Sequence, residues 1–282
     1  VAIRIARAAS GRDDVTICGY HGWHDWYLAA NLDEDDALDG HLLPGLEPRG
    51  VHRNLTGTVH PVRYNDLASL RHTIETENIG AIVMEVENST PPAEGYLQEV
   101  RNLASQRGIV LIFDECTSGF RKTLGGLNLH YGVEPDICIL GKTLGNGYAI
   151  NAIIGRESVM QAAQTTFISS TFWTERIGSA AALATLDVMQ QEDAPARIDA
   201  IGGTIRQRWI NLADEIGLPI TTTGLPALSR YAVTGDTQNQ AKTFIIQEML
   251  KLGFLANTAI YASIAHDQET IDLYFDALTN VW

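Results

Sequence analysis

Residues 109–114 read Ile109-Val110-Leu111-Ile112-Phe113-Asp114, five apolar residues closed by a carboxylate. A run this short and this apolar is the pattern of a strand buried on both faces. A charge at its end is costly unless something pairs with it. Upstream, residues 79–85 (IGAIVME) form a second apolar strand that ends in Glu85. A helix is expected between them, over about residues 95–107. Strand, helix, strand at this spacing is the βαβ unit of a parallel sheet. Residues 15–19 (VTICG), 58–62, 137–140 (ICIL) and 149–155 supply further strands, and Asp66 is placed to cap a helix running to about Glu77. Ligands of parallel α/β sheets gather beyond the carboxyl ends of the strands. Glu85, Asp114 and Lys142 all fall at or just past such ends, so they are read as sharing one site.

The flanking regions follow from this frame. Val1 to Ala9 read as the last turns of an amphipathic helix that Gly11 ends. A helix that opens in mid-pattern implies that the sequence begins inside a domain. Residues 20–57 form a long polar, Gly-rich and aromatic connection, a length that implies a binding role or short helices within it. The acidic run Asp33 to Asp36 reads as a solvated surface. From Ile177 an Ala-rich helical pattern runs to about Asn211, with a break near Pro195. A strand at 227–233, a helix from about Asn239 to Leu250 and a terminal helix from Glu269 to Leu278 complete a smaller α/β region. The expected division is therefore 1–176 for a large domain and 177–282 for a connecting helix and small domain.

Composition narrows the function classes. The 282 residues are 45% hydrophobic, enough for a large core, and their formal charge is -14. A field of that sign repels phosphate backbones and argues against a nucleic-acid partner. No run is long enough to span a bilayer, and no signal peptide is visible. Cys18, Cys116 and Cys138 lack the close spacing of a zinc or redox pair and read as reduced thiols of a cytoplasmic protein.

Three groups of residues are candidates for chemistry. Asp114, with Glu115 after it, either caps the next segment or pairs with a cation, a metal or a transferred proton. Lys142 sits in Leu140-Gly141-Lys142-Thr143-Leu144-Gly145-Asn146-Gly147, which is not a Walker loop. It is either an exposed loop lysine or a nucleophile that attacks a carbonyl. Tyr20-His21-Gly22-Trp23-His24-Asp25-Trp26 either packs the long connection or offers rings to a flat cofactor. His21, His24 and Asp25 lack a further ligand cluster, so no metal site is expected.

In this order, Tyr20-His21-Gly22, Glu85, Asp114-Glu115-Cys116 with Gly119-Phe120-Arg121, Leu140-Gly141-Lys142 and Ser170-Thr171-Phe172 resemble class III aminotransferases, a family of fold-type I pyridoxal-phosphate enzymes. The nearest branch is that of glutamate-1-semialdehyde 2,1-aminomutase and its relatives. The resemblance implies pyridoxal 5'-phosphate as cofactor and a mostly parallel sheet flanked by helices, with a smaller C-terminal α/β domain. It implies that Lys142 forms the internal aldimine and shuttles the proton, and that Asp114 pairs with the pyridine nitrogen. It places Tyr20 on one ring face and Cys116 on the other, where the family usually has valine. It adds His21 and Glu85 near the cofactor, and Thr171 on the phosphate of a neighbouring subunit, hence a homodimer.

The sequence departs from the family in places. The family's glycine-rich phosphate turn and amino-terminal segment are expected to precede Val1. Gly145-Asn146-Gly147 replaces a run of three glycines, and Trp173-Thr174-Glu175-Arg176 replaces a pattern of small residues with Asn-Pro. The expected activity is amino-group transfer, or movement within one skeleton, on a small amino-acid or amino-carbonyl substrate. Decarboxylation, racemisation and a truncated non-catalytic scaffold are the alternatives.

Overall fold

The structure is a computed structural model and describes residues 1–41, 44–45, 47–87 and 89–282. Six strands form one sheet: β1 (Asp14–Cys18), β2 (Val59–Pro61), β3 (Ile79–Met84), β4 (Val110–Glu115), β5 (Ile137–Leu140) and β6 (Ala152–Gly155), in the order β2-β1-β3-β4-β5-β6. The first five are mutually parallel, and β6 runs antiparallel to β5. The connection from β5 to β6 has no crossover helix, only short turns through Lys142, so the chain can only run back beside the strand it left. Every residue of β3 is buried, as its unbroken apolar run requires. The order of the parallel strands reverses between β1 and β3, the place where sheets of this kind open a crevice at their carboxyl edge.

The helices carry the sequence signals expected of them. Helix α1 (Ala2–Ser10) stops at Gly11, whose left-handed backbone returns its N–H to the Arg7 carbonyl. Helix α2 (Leu67–Thr76) is capped by the Asp66 carboxylate, which accepts from the Ser69 N–H. Helix α3 (Tyr96–Arg107) ends at Gly108 in the same left-handed conformation. The connection 20–57 contains the short helical turns Asp25–Leu28, Ala29–Leu32 and Arg53–Leu55; its residues 42, 43 and 46 lie outside the described residues.

The chain divides into two compact units. The first comprises Val1–Val86, Pro92–Phe120 and Gly125–Thr185; the second comprises Glu87–Pro91, Arg121–Leu124 and Leu186–Trp282. Helix α4 (Ile177–Gln191) begins in the first and ends in the second. The helical pattern breaks before Pro195, at Asp193, whose φ of 47 starts a new helix α5 (Ala194–Ile216) with proline in its first turn. A hairpin of β7 (Ile220–Thr223) and β8 (Arg230–Val233) follows, then α6 (Gln238–Lys251) and α7 (Gln268–Thr279). Strand β7 has no apolar alternation in the sequence; its residues are only half-buried or exposed. Trp209, 1% exposed, centres the core of this unit with Ile205, Tyr231, Met249 and Phe275.

One buried charge pair ties α3 to the sheet. The Asp136 carboxylate, ahead of β5, accepts from Arg101 Nη1 at 2.9 Å and from the Leu111 N–H of β4 at 2.8 Å. Removing it leaves a buried guanidinium and a buried amide without their acceptor. Asp136→Ala is expected to lose about 3 kcal/mol of stability, read from urea midpoints. Asp136→Asn, which keeps one acceptor, should recover part of that loss. Equal losses for the two variants would refute the shared-acceptor account.

Candidate active site

Strand register places the candidate residues. Cys18, Met84 and Phe113 lie in one row across β1, β3 and β4, and Asp114 on β4 faces Ile139 on β5. The residues just beyond that row are Gly19-Tyr20-His21 after β1 and Glu85 after β3. Lys142 follows two residues after the last residue of β5. Because these strands are parallel, all of them emerge at the same edge of the sheet.

Asp114 is held by two donors. Its Oδ2 lies 2.8 Å from His21 Nδ1, and its Oδ1 accepts from the Cys116 N–H at 3.1 Å. His21 reaches the Cys18 carbonyl through Nε2 at 3.3 Å. The imidazole is almost sealed, at 2% side-chain exposure against 14% for the carboxylate, so the open side of the pair is the aspartate. The sequence joined these residues only through the family resemblance; the fold brings them into contact.

The loop after β1 is fixed around Gly19, which has φ +113. A Cβ there would stand 2.6 Å from Glu85 Oε2, so both backbone angle and space call for glycine. The buried Tyr27 hydroxyl donates to the Gly19 carbonyl at 2.9 Å, and the Gly19 N–H donates to His41 Nδ1 at 3.2 Å. Burial, then the Glu85 charge, pushes the Tyr27 phenol up, so it stays a donor. Burial, then His21 and Arg63, pushes the His41 imidazole down, which keeps its ring nitrogen free to accept. Tyr20 is 40% exposed and meets Tyr27 edge-on at 5.9 Å. His24 stacks on Trp23.

Lys142 is exposed, and its Nζ donates to Thr117 Oγ1 at 2.5 Å. Its φ of 40 is unusual for a side chain that is not glycine. Strain of this kind persists where the surroundings hold a residue in place. Gly141 supplies part of that hold: a Cβ on it would stand 2.3 Å from Asn151 Oδ1 and 2.7 Å from Cys116 Sγ. The Cys116 thiol lies against Gly141, next to Lys142 in the chain. Burial raises it first, the Asp114 charge raises it further, and the Lys142 charge and N–H hold it down. Cys116 thus has Asp114 on its amide and Gly141, the residue before Lys142, against its sulfur.

Glu115 points elsewhere. It is fully buried and accepts from Ser118 Oγ at 2.6 Å and from the backbone N–H groups of Leu127 and Asn128 at 2.8 Å. It is the capping carboxylate that the sequence left open as one reading of the Asp114–Glu115 pair. Thr171 is exposed, and no hydrogen bond joins it to the residues above among the described residues. Thr117, His41 and Asn151 were not singled out from the sequence; each acts through a neighbour that folding supplies, and none carries a local signal.

A carboxylate supported from behind, a primary amine just past the end of the neighbouring strand and a small thiol beside that turn suit a flat ring that carries both a cationic nitrogen and an aldehyde. The family Aminotransferase class-III matches residues 19–256 of the chain. The 3-aminobutyryl-CoA aminotransferase of Cloacimonas acidaminovorans is 34% identical over 235 residues, covering 80% of this chain and 53% of that protein. The glutamate-1-semialdehyde 2,1-aminomutase of Methanothrix thermoacetophila is 29% identical over 301 aligned positions, covering 98% of this chain and 68% of that protein. The chain thus spans about half the length of the first relative. An omega-transaminase from Sphaerobacter thermophilus superposes with a TM-score of 0.85 at 21% identity, over 99% of this chain and 70% of that one, and so shares the fold.

Burial, the largest influence on Glu115, raises its carboxyl above the ordinary value of 4.5, while Ser118, Asn128 and Leu127 oppose it. A group raised in this way binds its proton more tightly in the folded state. Its contribution to stability is therefore present below pH 4.5 and lost as the pH climbs through the raised value. Glu115→Gln is expected to flatten the decline of urea midpoints above about pH 5, at an overall cost of about 1–3 kcal/mol for the lost acceptor. A slope identical to that of the unmodified protein would contradict the buried titration.

Proposed function

The chain belongs to the class-III aminotransferase family, and on that premise we propose that it moves an amino group with pyridoxal 5'-phosphate held at the carboxyl edge of its sheet. The observation that carries this reading is the Asp114 carboxylate, backed by His21 at 2.8 Å, at the same sheet edge as Lys142. When bound, the cofactor supplies an electron sink for the bonds at the substrate's α carbon. The chain's own residues do the rest. Asp114 pairs with the ring nitrogen and keeps it protonated, and His21 and the Cys116 N–H hold the carboxylate for that task. Lys142 would supply the amine that holds the cofactor, and its Nζ would serve as the proton carrier beside the substrate's α carbon. The Thr117 hydroxyl accepts from that amine and parks it beside the site. Tyr20 and Cys116 would cover the ring, and Glu85 lies beside Gly19.

The substrate is a small amino-acid or amino-carbonyl compound, taken either through two half reactions as in an aminotransferase or within one skeleton as in an aminomutase. Thr171 reaches the cofactor phosphate of a second copy. The exposure of Phe167 (82%), Phe172 (74%), Trp173 (66%) and Ile177 (64%) around it supports a homodimer, because so many large apolar groups in water mark a covered face. Among the described residues no helix is long and apolar enough to cross a membrane. The three unpaired cysteines support a reducing compartment, the cytoplasm.

The test uses the small lysine inventory: Lys122, Lys142, Lys242 and Lys251 are the four in the chain. Adding pyridoxal phosphate, reducing with borohydride and mapping peptides should place the adduct on Lys142. Lys142→Ala should lose the adduct, and amine transfer should drop about 10³-fold or more. An adduct spread over all four lysines, or none on the folded protein, overturns the reading.

A further inference from the structure

At the opposite, amino-terminal edge of the sheet, three donors converge from three segments. Asp14 is the first residue of β1, His60 lies in β2, and Glu77 ends α2 just before β3. One oxygen of each carboxylate and one imidazole nitrogen all lie within 4.8 Å of one another. The backbone holds them there: Asp14 is in register with Ile79, and Thr16 with His60. The Thr16 hydroxyl, fully buried, donates to the His60 carbonyl at 2.8 Å and fixes the strand that presents the imidazole.

A second observation points to a ligand. His60 Nε2 is shielded from solvent and has no hydrogen-bond partner. Its nearest carboxylate oxygen, Asp14 Oδ2, is 4.0 Å away, too far for a hydrogen bond. Among the described residues neither Asp14 nor Glu77 has a side-chain hydrogen bond that would neutralise it. Two carboxylates and a shielded ring nitrogen thus offer their lone pairs to one space.

We propose that Asp14, His60 and Glu77 form a divalent-cation site, with Zn²⁺ as the ion. One nitrogen and two oxygens are a borderline-hard set, suited to zinc in a tetrahedral shell completed by water. Donors at about 2.1 Å from one ion stand roughly 3.4 Å apart in that geometry, so modest side-chain rotation closes the set. The ion pins the starts of β1 and β3 to β2. The site lies across the sheet from Asp114 and Lys142 and stands or falls independently of the amino-transfer reading.

The chelator-stripped 282-residue chain is dialysed against ZnCl₂, and Co²⁺ is titrated in parallel to read its visible absorption. One Zn²⁺ per chain with micromolar affinity is expected, together with Co²⁺ bands of a low-coordinate site. His60→Asn and Glu77→Gln should each weaken binding at least tenfold, roughly the scale of ligand-shell losses. Glu77 is exposed, so its variant stays folded and decides the matter if His60→Asn does not fold. No bound zinc at hundred-micromolar metal, or binding that Glu77→Gln leaves unchanged, overturns the site.

Discussion

The parallel register of β1, β3, β4 and β5 is the constraint on which the rest depends. Parallel pairing sends every carboxyl end to one edge, and the alignment of Cys18, Met84 and Phe113 decides which residues emerge there together. Slipping β4 by one position would turn Asp114 to the other face and put Glu115 in its place. The buried runs of β3 and β4 prevent that slip, because it would exchange which side chains meet the helices on either face.

The two adjacent carboxylates of β4 show how the sheet separates roles. Strand alternation sends Asp114 toward His21 and the open edge, and sends Glu115 into a closed cage of three donors. Burial raises one, while the other lies at the rim against His21. A single chemical group thus does two jobs, set by which face it meets.

The same sheet carries charge at both ends. At the carboxyl edge, Asp114 meets an imidazole and an amide within hydrogen-bond reach. At the amino edge, Asp14, His60 and Glu77 approach without closing on one another. The first arrangement is closed by donors from the protein itself. The second is a set of donors without an acceptor of their charge.

The sequence by itself determined the apolar strands, the helix ends at Gly11, Asp66 and Gly108, and the placement of Glu85, Asp114 and Lys142 at strand ends, because buried runs, caps and glycines act over a few residues. Family resemblance then named the chemistry of those ends. It did not reach β7, whose threonines carry no alternation. Only the tertiary structure joined His21 to Asp114, Thr117 to Lys142, and Gly19 to Glu85 and His41. It alone gathered Asp14, His60 and Glu77 from three separate segments. Contacts of that kind arise from strand pairing across the sheet, and no local pattern in the chain encodes which distant residue will stand opposite.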